Sequence, residues 1–220
     1  MPYRRTENVA RRLAARHDAI IAAARQMASE GGMAAVQIAA VAARAGIAAG
    51  TVYRYFPAKT DLVVALLAEI AEREIGALRR AAAGAPGPLS ALSAAIMTFA
   101  SRALRDRRLI FAAIAETVDA EIDGPRLAFR KSLAAEFSAR IAAAVAEGRL
   151  PEQEPKLAAA ALTGLLVEGL IGPLAPDAAG RRRDVVQSLT LLALRALGVA
   201  DARARGLVVQ TAIPADDAEN

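Results

Sequence analysis

Alanine fills 58 of the 220 positions, and aromatic residues fill only eight. A one-methyl side chain loses no rotamer freedom in a helix and packs poorly on the pleated surface of a strand. Its companions here, Leu, Arg and Glu, are also good helix formers, and β-branched runs are few. The chain is therefore predicted to be all-α. With 55% apolar and 23% charged residues, it is expected to be globular, with a core of useful size.

Glycine and proline cut the helical pattern into segments. Leu13, Ile20, Ala24 and Met27 form a helical stripe over 11–30, which Gly31 and Gly32 close. Short helices are expected over 36–45, ending at Gly46, and over 48–56, ending at Pro57. A longer one over 61–83 is carried by Leu62, Leu66, Leu67 and Ile70. Three short helices with a turn at Gly46 make a helix-turn-helix plan. The run from Gly84 to Pro88 is the clearest break, and helices follow over 89–104, 107–120, 125–147, 154–174 and 181–197.

Charge is unevenly placed. Residues 1–62 hold nine bases and four acids, a surplus of +5 that equals the net charge of the chain, while the other 158 residues carry 19 of each. A basic first third suits an anionic polymer, although a solvated arginine-rich face has the same composition. Cysteine is absent and His17 is the single histidine, which excludes thiolate chemistry, Cys-based zinc and His-rich metal sites. Asp119, Glu121 and Asp123 alternate at a helix end and read as solvated. No enzyme activity, cofactor or metal is expected. The first residues, MPYRRTENVARRL, lack the apolar core of a signal peptide, and no charge-free run of 18 apolar residues exists. A cytoplasmic protein with no membrane partner is expected.

Residues 37–62 read QIAAVAARAGIAAGTVYRYFPAKTDL. The pattern Ala42, Ala45-Gly46-Ile47, Gly50-Thr51-Val52-Tyr53, Tyr55-Phe56, Lys59 and Leu62 resembles the TetR family of bacterial transcription regulators, over roughly residues 14–74. The chemistry agrees with the resemblance. Gly46 permits a left-handed turn, and Gly50 lets the start of the next helix approach a phosphate or base edge. Phe56 reads as core. The resemblance implies DNA contacts from Gln37, Arg44, Ala49, Gly50, Thr51, Tyr53, Arg54, Tyr55 and Lys59. The phenol oxygens of Tyr53 and Tyr55 would reach the DNA, and Lys59 would meet a phosphate at the start of the fourth helix. Gln37 stands where the family usually has a capping threonine and Ala48 where it often has serine; losing such a cap costs about 1 kcal/mol. Arg4, Arg5, Arg11 and Arg12 fit either a DNA-contacting arm or a solvated terminus. His17 reads as a half-buried structural residue.

The organisation that follows is a basic arm over 1–13, a helix-turn-helix domain over 14–74 with its motif over about 37–56, a ligand-binding and dimerisation domain over 75–198, and a frayed tail over 199–220. Val185, Leu189, Leu192 and Ala196 lie on one face of the final helix, and Ala161, Gly164, Gly169 and Gly172 keep the preceding one narrow. The resemblance implies a homodimer through these helices; packing of the two within one chain has the same pattern. Met97, Phe99, Phe111, Ile114, Phe129, Phe137 and Leu166 are either core or pocket residues. Glu116 and Glu168 are acids inside apolar stretches, and a buried acid facing a pocket suits a lipophilic cation. The function implied is that of a repressor released from a palindromic double-stranded DNA operator by a small, mostly apolar inducer. The alternative is a DNA-binding dimer whose second domain is filled.

Overall fold

The computed structural model describes residues 3–116 and 122–211. Among these, ten α-helices and no strand are present. Helix α1 (Tyr3–Gly31), a single 3-10 turn (Met33–Ala35), α2 (Ile38–Arg44) and α3 (Ala49–Tyr55) form the N-terminal unit. Then come α4 (Lys59–Ala83), α5 (Pro88–Arg105), α6 (Arg107–Ile114), α7 (Asp123–Ala146), α8 (Pro155–Leu170), α9 (Arg182–Ala196) and α10 (Asp201–Gln210). No helix among the described residues is long and apolar enough to cross a membrane.

Helix α1 is longer than its apolar stripe. Its backbone is helical across the segment expected as an arm, because Arg, Ala, Leu and Glu sustain a helix and neither Gly nor Pro interrupts them before Gly31. Yet residues 9–19 are exposed, Leu13 among them at 50%, and burial begins at Ile20. From there Ile20, Ala24 and Ala28 pack on Met33, Val36, Val41, Val52 and Phe56 to make the core of the N-terminal unit. The side chains of Arg4 and Arg5 lie outside the described residues.

Helix α4 joins the two halves of the molecule without a break. Its 25 residues span about 37 Å. Leu62, Val63 and Leu66 are buried toward its start, and Ile75, Leu78 and Ala82 toward its end, where it packs along α5 and α7. Behind it, α7 lies against α8 while α5 lies against α9. The largest buried side chains of this second unit are Phe99, Phe129 and Phe137. Glu74 of α4 and Arg102 of α5 form a two-pronged ion pair inside it, with both bonds 2.7 Å long.

Two expected boundaries move. Helix α6 stops at Ile114 instead of near 120, so Asp119 and Glu121 lie outside the described residues, while Asp123 sits in the first turn of α7. The tail expected over 199–220 contains α10, which buries Ala204, Leu207 and Val208 against α5 and α9. Those positions have helical spacing (i, i+3, i+4), and Asp201 ties the start of α10 to Arg195 and Arg205. Residues 212–220 lie outside the description.

Candidate nucleic-acid interface

The turn between α2 and α3 follows from Gly46. Its φ of 67° is left-handed, a region that costs other L-residues roughly 1–2 kcal/mol. The Gly46 N–H donates to the Ala43 carbonyl at 3.2 Å and the Ile47 N–H to Ala42 at 3.0 Å, closing the end of α2 with two reversed bonds. Val41 and Ala42 on α2 and Val52 on α3 are buried, so the short α3 is held by packing rather than by its own propensity. Ala48 caps α3 with no side-chain bond, and at the start of α2 the Gln37 side chain instead donates to the Ala34 carbonyl at 2.9 Å.

What remains on the outer side of α3 is Gly50, Tyr53 and Arg54, all exposed, with Thr51 half-buried beside them. An added Cβ on Gly50 would meet nothing within 4 Å, so the fold itself does not require glycine there. Ala49 is half-buried and packs toward the core. Lys59 begins α4 as expected, partly exposed. The Asp61 carboxylate accepts from the Ala58 N–H at 2.9 Å, so that amide at the start of α4 is already satisfied by an acid. The reciprocal acid at the third helical position was the signal for this cap.

Two of the residues expected to contact DNA are engaged within the protein. Arg44 is bound to Glu30 through both terminal nitrogens, at 2.6 and 2.8 Å, and braces the end of α2 to the end of α1. This pairing depresses the Glu30 carboxyl pKa and raises that of the guanidinium, chiefly through the hydrogen bond. Tyr55 turns inward; its ring packs partly against the core and its hydroxyl is covered by protein. The position of Tyr55, two residues from the exposed Tyr53, puts it on the opposite side of a helix. The His17 side chain is 47% exposed, its ring 5.3 Å from that of Phe56.

The acids expected in a pocket face elsewhere. Glu168 is exposed, folded over Gly172. Glu116 accepts from the Met33 N–H at 2.9 Å and from Arg108 at 3.0 Å, and Arg108 also donates to the Gly31 carbonyl at 3.1 Å. These bonds tie the end of α6 to the turn after α1. Gly32 sits inside them with φ 74°; a Cβ there would stand 2.3 Å from Arg108 and 2.7 Å from Glu116. Neither partner was legible, since 83 residues separate Met33 from Glu116. Of the apolar candidates, Met97, Phe99, Ile114, Phe129, Phe137 and Leu166 are buried and Phe111 partly so.

Helices α8 and α9 leave an apolar face uncovered. Leu192 is 51% exposed, Ala161 and Ala196 are exposed, and Gly164, Val185 and Leu189 are half-buried. Gly169 admits Leu189, whose Cδ1 would lie 3.0 Å from an added Cβ. A shallow depression of about 360 Å³ on this face is lined by Gly169, Val185, Leu189 and Leu192 with Arg181 and Asp184.

Comparison with known proteins agrees with this geometry. Residues 20–66 match the family described as bacterial regulatory proteins, tetR family. The HTH-type transcriptional repressor KstR of Rhodococcus jostii is 52% identical over 58 residues, 26% of this chain and 27% of that protein. KstR of Mycobacterium tuberculosis is 46% identical over 71 residues, 32% of each chain. The match thus spans about a quarter to a third of the length of these relatives. RolR in complex with resorcinol superposes over 94% of this chain and 98% of that one, with a TM-score of 0.67 and 22% identity. FadR of Bacillus subtilis in complex with stearoyl-CoA covers 78% of this chain and 96% of its own, with a TM-score of 0.64 and 21% identity. Residues 20–66 thus form a helix-turn-helix domain of the tetR family of bacterial regulatory proteins.

Proposed function

We propose that this protein is a transcriptional repressor that binds a palindromic operator as a homodimer and leaves it when a small, mostly apolar molecule enters the second domain. The observation that carries the reading is the outer face of α3, where Gly50, Tyr53 and Arg54 are exposed next to Lys59 in a basic N-terminal third. The DNA contacts are then made by Gly50, Thr51, Tyr53, Arg54 and Lys59, with Gln37 at the edge. Repressors among the relatives support the sign of regulation, and the ligand complexes of RolR and FadR support a responsive second domain.

The uncovered face of α8 and α9 is the dimer interface in this reading, self-complementary about a two-fold axis. Two reading heads on a rigid dimer bind well only when their spacing matches successive faces of the major groove, about 34–36 Å apart. Helix α4 runs from Lys59 into the second domain, so a ligand that tilts it misaligns one head. A ligand releases DNA only to the extent that it binds the misaligned state more tightly. A hundredfold loss of operator affinity needs about 2.7 kcal/mol of that difference. The protein would act in the cytoplasm, where its operator lies.

The test is selection of bound sequences from random DNA, with the mass in solution measured alongside. A palindrome bound by a dimer is expected. A monomer that enriches no sequence would overturn the reading.

A further inference from the structure

The buried face of α7 consists of Arg126, Phe129, Leu133, Phe137, Ile141 and Ala144, one helical stripe turned toward α4, α5 and α8. Five of these are apolar. The sixth, Arg126, is a guanidinium only 5% exposed. Its one polar neighbour among the described residues is Asp123, whose Oδ1 lies 3.4 Å from Nη1, and whose side chain is 65% exposed. That separation is long for a charge-assisted bond, which runs about 2.7–2.9 Å, and the acid keeps most of its contact with solvent. Arg126 Nε and Nη2 are buried with no acceptor among the described residues.

These two nitrogens form one edge of the guanidinium. Their N–H bonds are parallel and match the two oxygens of a carboxylate. The same protein shows that edge in use: Arg102 presents its Nε and Nη2 to Glu74 with both bonds at 2.7 Å, in a comparably buried place. Arg126 has the burial and the free edge without the carboxylate. A buried cation left this way is costly, and a ligand that supplies the missing anion recovers the cost on binding.

We propose that Arg126 is the anion-binding residue of the second domain, and that the ligand of this repressor carries a carboxylate held two-pronged by Nε and Nη2, with its apolar body along Phe129 and Phe137. The proposal rests on the ligand-responsive reading above and reverses the charge expected from the acids, since Glu116 and Glu168 face away from this interior. Charge-assisted bonds to such a group are worth roughly tenfold to a hundredfold in affinity.

The test uses straight-chain acids from hexanoate to decanoate, with benzoate and naphthoate, each beside its neutral amide, and decyl phosphate as the phosphate counterpart. Binding is read by calorimetry, and operator affinity is measured on the same samples. Wild type is expected to bind at least one carboxylate tenfold or more tighter than its amide and tighter than decyl phosphate, with weakened operator binding. Arg126→Met and Arg126→Gln should lose that preference while retaining operator affinity. Equal affinity for acid and amide, no binding of any acid, a preference for the phosphate, or carboxylate selectivity that persists in both variants would each overturn the proposal. Because the wild-type comparison requires no variant, a substitution that fails to fold does not shield it. If operator binding holds while selectivity is absent, this inference falls and the repressor reading stands.

Discussion

Replacing Gly50 with alanine separates folding from DNA contact at one atom. Gly50 lies in the first turn of α3 with helical geometry, and a Cβ placed there meets nothing within 4 Å. Glycine inside a helix costs about 0.5–1 kcal/mol relative to alanine, chiefly in backbone entropy. The substitution is therefore expected to stabilise the protein by about that amount, a rise of about 2–4 °C in melting temperature per kcal/mol for a chain of this size. Against DNA the same methyl group acts in reverse. If the backbone of α3 approaches a phosphate or base edge at Gly50, the added carbon pushes it away and breaks bonds to a charged group worth about 1.5–3 kcal/mol each. Operator affinity should fall roughly tenfold to a hundredfold while the melting temperature rises. Calorimetric melting and fluorescence anisotropy on one preparation read both. Unchanged operator affinity would show that α3 does not meet DNA at this point; a drop in stability would show that glycine serves the fold.

Lys59→Ala should weaken binding to every DNA sequence and make the salt dependence shallower by about one unit, whereas Arg54→Ala should chiefly relax sequence preference, by about 1–3 kcal/mol at one base pair; equal losses for Arg54→Ala on operator and random DNA would assign it to the backbone. Glu116→Ala leaves the Met33 N–H without its acceptor and Arg108 with only the Gly31 carbonyl, so the Met33 amide should exchange faster, and unchanged protection would refute the tie. Burial, partly offset by Arg25 and Arg73, raises the Glu69 carboxyl pKa above 4.5. A raised pKa in the fold contributes stability that is complete below the unfolded value and is lost as pH rises through the folded one, so Glu69→Gln should stabilise at pH 7 and that gain should vanish toward pH 4 in urea melts. A gain that persists unchanged at low pH would sink this account.

The short helices were legible because Gly46 and Pro57 act locally: a positive φ or a missing N–H is decided by one residue. The exposed face of α3 was legible for the same reason, since burial of Val52 sends Gly50, Tyr53 and Arg54 outward. Pairings across the chain were not. Arg44 has the composition of a DNA contact, and only the approach of α1 reveals that Glu30 occupies it. Tyr55 and Tyr53 look alike in sequence, but two residues on a seven-residue helix face opposite ways. Glu168 interrupts an apolar run, as a buried acid would, yet its own position faces outward on α8 while Leu166, Val167 and Leu170 are buried. In α10, Gly206 and the acidic end of the chain hide a three-residue apolar contact. Arg126 gave no signal at all: near the start of a helix, arginine is ordinarily solvated.

In the proposed reading the chain divides into a sensing half and a reading half, a division that invites recombination between two parents. In this molecule the graft has a hidden seam. The turn at Gly31–Gly32 is written in one half, but two of its hydrogen-bond partners, Arg108 and Glu116, come from the other. A donor sensing half that lacks those two side chains leaves the Met33 amide without its acceptor, while Gly32 keeps only its bonds to Ala28 and Ala35. A donor reading half with any side chain at position 32 strains the positive φ there and displaces the ends of Arg108 and Glu116. Chimeras made from this chain therefore have to carry residues 32, 108 and 116 as one inheritance unit, although they lie on both sides of any sensible crossover.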